Sequence, residues 1–355
     1  MYLRKISVPS HLKFASEFKE LRAELEDVFT KNSYKRFFIV SGKKTYNTLS
    51  KELFKSLSKK HKGEINVFDD NSISTTEDVE SIAQEIKPDV IVGVGGGKIL
   101  DIAKYASSKT HTPFISIPTQ VSHDGICSPV AIIKDIKGKS MSLGASIPIG
   151  VIVPLYIVKR ASHRSTAAGV GDLLSNLTAV RDWQIAAQFK GEKYDDYAAI
   201  LAHTAASSVY TLYNNRKEKI KFTEEFITRL VEGLILSGVA MEISGNSRPC
   251  SGSEHKISHA IDALYGSPAL HGEQVALGVL AASCLQGNDY NAMRTFFSEA
   301  GLPTHPSEIN LSLDQMVEAI CYAPRTRPDR FTVLEQLKIN KRLAAKTVKK
   351  VWGTK

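Results

Sequence analysis

The chain has 355 residues, 43% of them hydrophobic and 23% charged, with a formal net charge of +9. That is the composition of an ordinary folded protein too long for one small core, so two domains are expected. The longest apolar stretch, GVIVPLYIV at 150–158, is far too short to span a bilayer, and MYLRKISVPS has charge but no apolar centre of a secretion signal.

Four scattered cysteines, Cys127, Cys250, Cys284 and Cys321, form no CxxC pair. This argues for free thiols in a reducing compartment, and a cytoplasmic location is expected. Much of the positive excess lies in KSLSKKHKGE (55–64) and KINKRLAAKTVKKVWGTK (338–355), read as solvated helix faces without aromatic interleaving. No nucleic-acid partner is expected from them. A basic surface can also steer an anionic substrate.

The first half alternates strand and helix signals. RFFIVS (36–41) is a buried strand, YNTLSKELFKSLSKK is helical, EINVF (64–68) is a strand, and 76–86 is helical. DVIVGV (89–94), a helix opening near Lys98 and the strand FISIP (114–118) complete the pattern. Such alternation predicts a parallel sheet covered by helices on both faces. From about residue 161 the apolar spacing is helical almost throughout. The expected fold is α/β: a Rossmann-like nucleotide-binding domain over 1–158, then an all-helical domain over 159–355.

In DVIVGVGGGKILDIAKYA, Gly93, Gly95, Gly96 and Gly97 lie between a strand and a helix. Glycines there let a ligand approach the backbone, and a helix start offers N–H groups and positive dipole to a phosphate. The run is neither G-x-G-x-x-G nor a Walker loop, and it ends the third predicted strand, not the first. A plain tight turn needs fewer glycines. PTQVSHDGICSP (118–129) follows the next strand, outside the carboxyl ends where open sheets bind ligands. Further on, Asp172 fits the N-cap of a helix starting after Gly171, and a functional aspartate would look the same.

SGSEHKISHAIDALYGSPALHGEQ (251–274) holds three histidines in seventeen positions. His255 and His259, four apart, share a helix face, and His271 opens another apolar run. By residue type alone they are either metal ligands or surface histidines.

Taken in order, GVGGGKILDIAK, FISIPTQVSHDGICSP, GDLLSN, SGSEHKISHAID and LHGEQ resemble the sn-glycerol-1-phosphate dehydrogenases. These are a branch of the metal-dependent superfamily of glycerol dehydrogenase, iron-containing alcohol dehydrogenases and dehydroquinate synthase. The likeness runs from about residue 36 to RTRPDRFTVLEQL at 325–337. It implies a dehydroquinate synthase-like fold with the site in a cleft between the domains, and a homo-oligomer. It implies one divalent metal, zinc or else nickel or iron, on Asp172, His255 and His271. It implies NAD or NADP on Gly95, Gly96, Gly97, Lys98, Ile99, Leu100, Asp101, Thr119, Gln120, Val121, Ser122 and Ser128. Asp124 and His259 correspond to substrate-contacting, catalytic positions; an ordinary histidine pKa near 6.5 suits a proton relay at His259.

The implied reaction is reversible reduction of dihydroxyacetone phosphate to sn-glycerol 1-phosphate. Lys139, Arg325, Arg327 and Arg330 are candidates for the substrate phosphate on charge. Rival readings are oxidation of glycerol or another polyol, a dehydroquinate-synthase-like cyclase, and a basic scaffold without catalysis. In several superfamily relatives an aspartate ends the first strand and binds the adenosine ribose. Here that place reads IVSGKKT, whose Lys43 and Lys44 can attract a 2′-phosphate.

Overall fold

The computed structural model describes residues 6–213 and 220–353. By its contacts the chain divides into two compact units, one ending at Ala161 and the other beginning at Ser162.

The first unit contains, in chain order, β1 (His11–Ala15), α1 (Phe18–Lys31), β2 (Arg36–Gly42), α2 (Lys43–Thr45), α3 (Lys51–Leu57), β3 (Lys62–Phe68), α4 (Ile73–Ile86), β4 (Val90–Gly95), α5 (Gly97–Thr110) and β5 (Phe114–Pro118). A hairpin of β6 (Val130–Lys134) and β7 (Ser140–Gly144) follows, then β8 (Gly150–Pro154) and α6 (Leu155–Val158). Six strands form a parallel sheet in the order β1-β8-β5-β4-β2-β3. The inner strands β4, β5 and β8 are buried along their whole length, so they read as unbroken apolar runs. The edge strand β3 alternates in exposure. One core face is built from Leu21, Leu25 and Phe29 of α1 against Ile39, Val92, Ile117 and Ile152 of the sheet.

The sheet corrects two expectations. His11–Ala15 is a strand that pairs with β8, so the glycine loop ends the fourth strand of the chain, not the third. The basic segment 55–64 is helical only to Leu57, and Lys62 already belongs to β3. The chain leaves β2 towards β3 on one side and returns to β4 on the other. Such a reversal opens a crevice at the carboxyl ends of the strands, where open α/β sheets take ligands.

The second unit holds α7 (His163–Leu174), α8 (Asn176–Lys190), α9 (Asp196–Tyr213), α10 (Glu224–Ser244), α11 (Ser253–Tyr265), α12 (His271–Gln286), α13 (Tyr290–Glu299), α14 (Leu313–Tyr322), α15 (Val333–Gln336) and α16 (Lys341–Trp352), with no strand among its described residues. Asp172 is not an N-cap. It lies near the end of α7, which is capped instead by Ser162, whose hydroxyl accepts from the Ser165 N–H. Gly169 and Gly171 look like helix breakers, yet Gly171 sits mid-helix because a Cβ there would stand 2.2 Å from the Gly272 carbonyl oxygen. Reciprocally, a Cβ on Gly272 would collide with the Ala168 carbonyl of α7. Helices α7 and α12 cross glycine to glycine, and that crossing places Asp172 and His271, each one residue away, side by side.

Candidate cofactor and metal sites

In the first unit, β4 runs straight into α5 through Gly95-Gly96-Gly97, with Gly96 as an extended N-cap. The Thr119 N–H donates to the Gly95 carbonyl at 2.9 Å, tying the segment after β5 to the loop. Side chains from that segment roof the glycines: a Cβ on Gly96 would lie 3.2 Å from Gln120 Oε1, and one on Gly97 2.2 Å from His123 Nε2. His123 is held there because its Nδ1 accepts from the Gly125 N–H at 2.9 Å. The result is a shallow cradle of backbone at the start of a 14-residue helix, the arrangement that binds phosphate.

Other expected cofactor positions differ in what they present. Lys98 and Gln120 are exposed, Thr119 and Ser122 half-buried, and Val121 buried. Ile99 and Leu100 turn their side chains into the core, and their N–H groups donate to the Gly96 carbonyl at 3.0 and 3.2 Å. Asp101 pairs at 3.1 Å with Lys104, a fully buried lysine whose Nζ also donates to the Gly125 carbonyl and to Ser128 Oγ. Lys104 thus ties α5 to the loop that carries His123, Asp124 and Ser128. Asp124 opens a short helical turn, Asp124–Ile126.

In the second unit, three helices bring together Asp172, His255 and His271. One ligand atom from each lies within 4.8 Å of the others. Both imidazole Nε2 atoms stand 3.6 Å from Asp172 Oδ1, and the two rings are 5.1 Å apart by centroid. The donor set is one carboxylate oxygen and two imidazole nitrogens, partly buried and converging on a common point. That chemistry fits a divalent ion with coordination positions left for substrate.

The supports behind these side chains are side-specific. Glu254, fully buried, faces His255 Nδ1 at 3.0 Å and so leaves Nε2 free to point at Asp172. Its own carboxylate accepts from the Gly252 N–H at 2.5 Å and the Thr178 hydroxyl at 2.9 Å. Burial would by itself lower the His255 pKa, but hydrogen bonds and charge from Asp172 and Glu254 outweigh it and raise it to about 9. Asp182 accepts from the Ser253 N–H at 2.6 Å and the Val333 N–H at 2.8 Å, fixing the first turn of α11. His271 Nδ1 lies 3.4 Å from the Ser258 hydroxyl. Arg164 grips Glu273 with two bonds of 2.6 and 2.7 Å, while Glu273 accepts from the Leu270 N–H and so anchors the start of α12 beside His271.

His259 completes the group without joining the cluster of three, with its ring 6.4 Å from His255 and 6.3 Å from His271. Burial, then the neighbouring imidazoles and the charges of Arg327 and Arg330, push its pKa down to about 3. Both effects favour the neutral imidazole. Arg330 is committed elsewhere, donating to the Ser251 carbonyl and the Ser247 hydroxyl.

Sequence reasoning missed Glu254, Asp182 and Lys104. Glu254 precedes His255 directly, and adjacent helix residues do not normally face one another. Only its place in the first turn, where the backbone is still open, lets it reach round.

A strand-helix unit with a glycine cradle, followed by a helical unit with an Asp-His-His cluster, defines the architecture of the iron-containing alcohol dehydrogenase and dehydroquinate synthase-like proteins. Residues 19–162 match the family model described as iron-containing alcohol dehydrogenase. The fold superimposes on a probable glycerol dehydrogenase from Sinorhizobium meliloti 1021 with a TM-score of 0.75, at 24% identity and covering 98% of both chains. Within that class, a protein of Thermococcus kodakarensis named glycerol-1-phosphate dehydrogenase, NAD(P)+, is 43% identical over 280 residues, 78% of each chain. One of Saccharolobus islandicus with the same name is 36% identical over 298 residues, 84% of each. The chain belongs to the glycerol-1-phosphate dehydrogenase family.

Proposed function

We propose that the chain reduces dihydroxyacetone phosphate to sn-glycerol 1-phosphate with NAD(P)H, reversibly, using a divalent ion on Asp172, His255 and His271. The observation that carries this reading is the convergence of those three side chains from three helices within 4.8 Å, in a chain of this family. A divalent ion bound there supplies Lewis acidity to a carbonyl oxygen, and the nicotinamide supplies hydride.

The protein's residues do the rest. Asp172 contributes the negative charge of the donor set, while Glu254 and Ser258 hold the imidazole rings in register. His259, neutral, acts by hydrogen bonding to the substrate and not by carrying an imidazolium proton. Arg327 stands in the electrostatic neighbourhood of His259 and is partly exposed, so we assign it the substrate phosphate. The glycine cradle receives the cofactor pyrophosphate, and Asp124 is assigned a contact with the substrate.

The test pairs metal analysis of protein purified without chelator with NAD(P)H oxidation on dihydroxyacetone phosphate and on dihydroxyacetone. About one ion per chain and a kcat/KM roughly 100-fold higher for the phosphate ester are expected, two charge-assisted hydrogen bonds being worth about that much. Equal rates on the two ketones would make the enzyme a general polyol dehydrogenase. Absence of both metal and turnover would remove the catalytic reading.

A further inference from the structure

Lys256 is a buried charge that the catalytic reading leaves unused. It sits on α11 between His255 and His259, with 1% of its surface exposed. A buried ammonium is costly unless its charge and hydrogen bonds are met. Here the partners of the ammonium lie on the segment after α14. Lys256 Nζ donates to the Arg330 carbonyl at 2.7 Å and to Glu335 Oε1 at 2.6 Å. At the near end of the same stretch, the Thr326 hydroxyl donates to the Ala323 carbonyl at 2.8 Å and stands 3.3 Å from the Lys256 carbonyl. One residue of α11 therefore touches the stretch 326–335 at both ends.

Within that stretch Arg327-Pro328-Asp329-Arg330 is a turn, closed by the Arg330 N–H donating to the Arg327 carbonyl at 3.0 Å. Proline suits its second position because the ring presets the backbone angle there. The closing residue is the one whose carbonyl Lys256 grips. Glu335, the other partner, turns its second oxygen to the Thr332 N–H at 2.8 Å and so fixes the start of α15. Arg327, at the first position of the turn, has a side chain 30% exposed and only loosely paired, 4.0 Å from Asp329. Its charge reaches His259, which lies three residues beyond Lys256 on α11.

We propose that Lys256 is a positioning residue for the reaction: by gripping Arg330 and Glu335 it sets the turn that presents Arg327 to the substrate phosphate. Replacing a buried ion pair by apolar groups of similar volume is commonly neutral for stability, so stability alone is a poor reason for this one. Its use lies in the geometry it imposes. The ammonium is spent on the segment, so Lys256 acts through Arg327 and not on the substrate. A charged contact with a phosphate is strong only when donor and oxygen meet in line, and a small displacement of the turn weakens it. The proposal rests on the assignment of Arg327 to that phosphate.

The experiment uses the metal-loaded full-length chain and two variants. Lys256→Met keeps length and apolar volume, and Glu335→Gln discharges the partner, whose side chain is 22% exposed and reaches water. Rates are measured on dihydroxyacetone phosphate and on dihydroxyacetone, and binding of sn-glycerol 1-phosphate by calorimetry. Lys256→Met is expected to raise KM for the phosphate ester and weaken glycerol phosphate binding about tenfold, leaving kcat and the rate on dihydroxyacetone within about twofold. Glu335→Gln should act in the same direction by about threefold, and metal content should hold in both. Parallel loss on the two ketones, or a preference for the phosphate ester that both variants keep, overturns the proposal. If Lys256→Met does not fold, Glu335→Gln decides by the same criteria. Arg327→Ala is the control for the underlying assignment. If it removes the phosphate preference while the other two variants keep it, only the positioning role falls; if it too keeps the preference, the assignment of Arg327 falls and takes this one with it.

Discussion

The two units of this chain build sites from opposite materials. The first offers backbone: glycines at a strand-to-helix turn, N–H groups at a helix start, and the exposed Gln120 and half-buried His123 as a roof. The second offers side chains taken out of water, with Asp172, His255, Glu254 and Asp182 all buried. A backbone site tolerates variation in its neighbours provided that nothing fills the cradle. A buried cluster of charge holds only while every partner is present, because an uncompensated buried group costs several times what the pair contributes. Damage to the second unit should therefore be larger and more specific than damage to the first.

The largest effect should come from His255→Ala. It removes one of three donors, and loss of even a supporting partner typically costs 10- to 100-fold in metal affinity, so more than about 100-fold is expected for the ligand itself, with turnover abolished. Metal analysis alongside circular dichroism decides it; a folded variant with full metal would take His255 out of the site. His259→Ala should keep the metal and the cofactor affinity but lower kcat/KM for dihydroxyacetone phosphate by about 100-fold, the lower end for such groups. Loss of metal in this variant would redraw the ligand set.

Next comes Glu254→Gln, which keeps the shape but discharges the group behind His255. A 10- to 100-fold loss in metal affinity with the cofactor constants unmoved is expected. Equal affinity in wild type and variant would mean that Glu254 serves only the first turn of α11. On the other side of the comparison, Gly96→Val should raise the NAD(P)H dissociation constant at least about tenfold with little change in melting temperature. Its Cβ meets only the movable end of Gln120, whereas Gly97→Val runs into the His123 ring and should disturb the loop as well. Similar losses of melting temperature in the two variants would contradict that distinction.

The same contrast explains what could be read from the sequence. Inner strands were legible because burial on both faces makes them apolar throughout, and the glycine run was legible because its chemistry is local. Strand β1 was not: HLKFA is half-exposed, and its partner β8 lies about 139 positions away along the chain. The grouping of Asp172, His255 and His271 came from the order of motifs resembling the family, not from local pattern. Asp172 fits an N-cap as well as a functional aspartate in the sequence because Gly169 and Gly171 suggest a break, whereas the helix crossing that requires glycine appears only once α12 is packed against α7. The low pKa of His259 comes from burial and from charges on other elements, so no residue next to it announces it.

Asp182 gives the smallest expected effect and the finest test of the buried-charge argument. It is fully buried; burial first, then the charge of Glu254, raise its pKa from the ordinary 3.8 to about 6, against the hydrogen bonds from Ser253 and Val333 that favour the ionised form. A carboxyl whose folded pKa lies above its unfolded value binds more protons when folded, so its contribution to stability declines as pH rises from about 4 through 6. The full shift would be worth on the order of 1–3 kcal/mol, or a few degrees in melting temperature. Asp182→Asn cannot titrate, and it sets an NH2 group where one of the two carboxylate oxygens accepts from a backbone N–H, so the metal-free variant should melt lower at every pH. The gap between wild type and variant should be wider at pH 5 than at pH 7, because only the wild type loses stability over that interval through this group. Melting curves of both chelated proteins from pH 4.5 to 7 measure it. A gap that stays constant would show that Asp182 is ionised throughout and that the Ser253 and Val333 N–H groups carry its charge without cost.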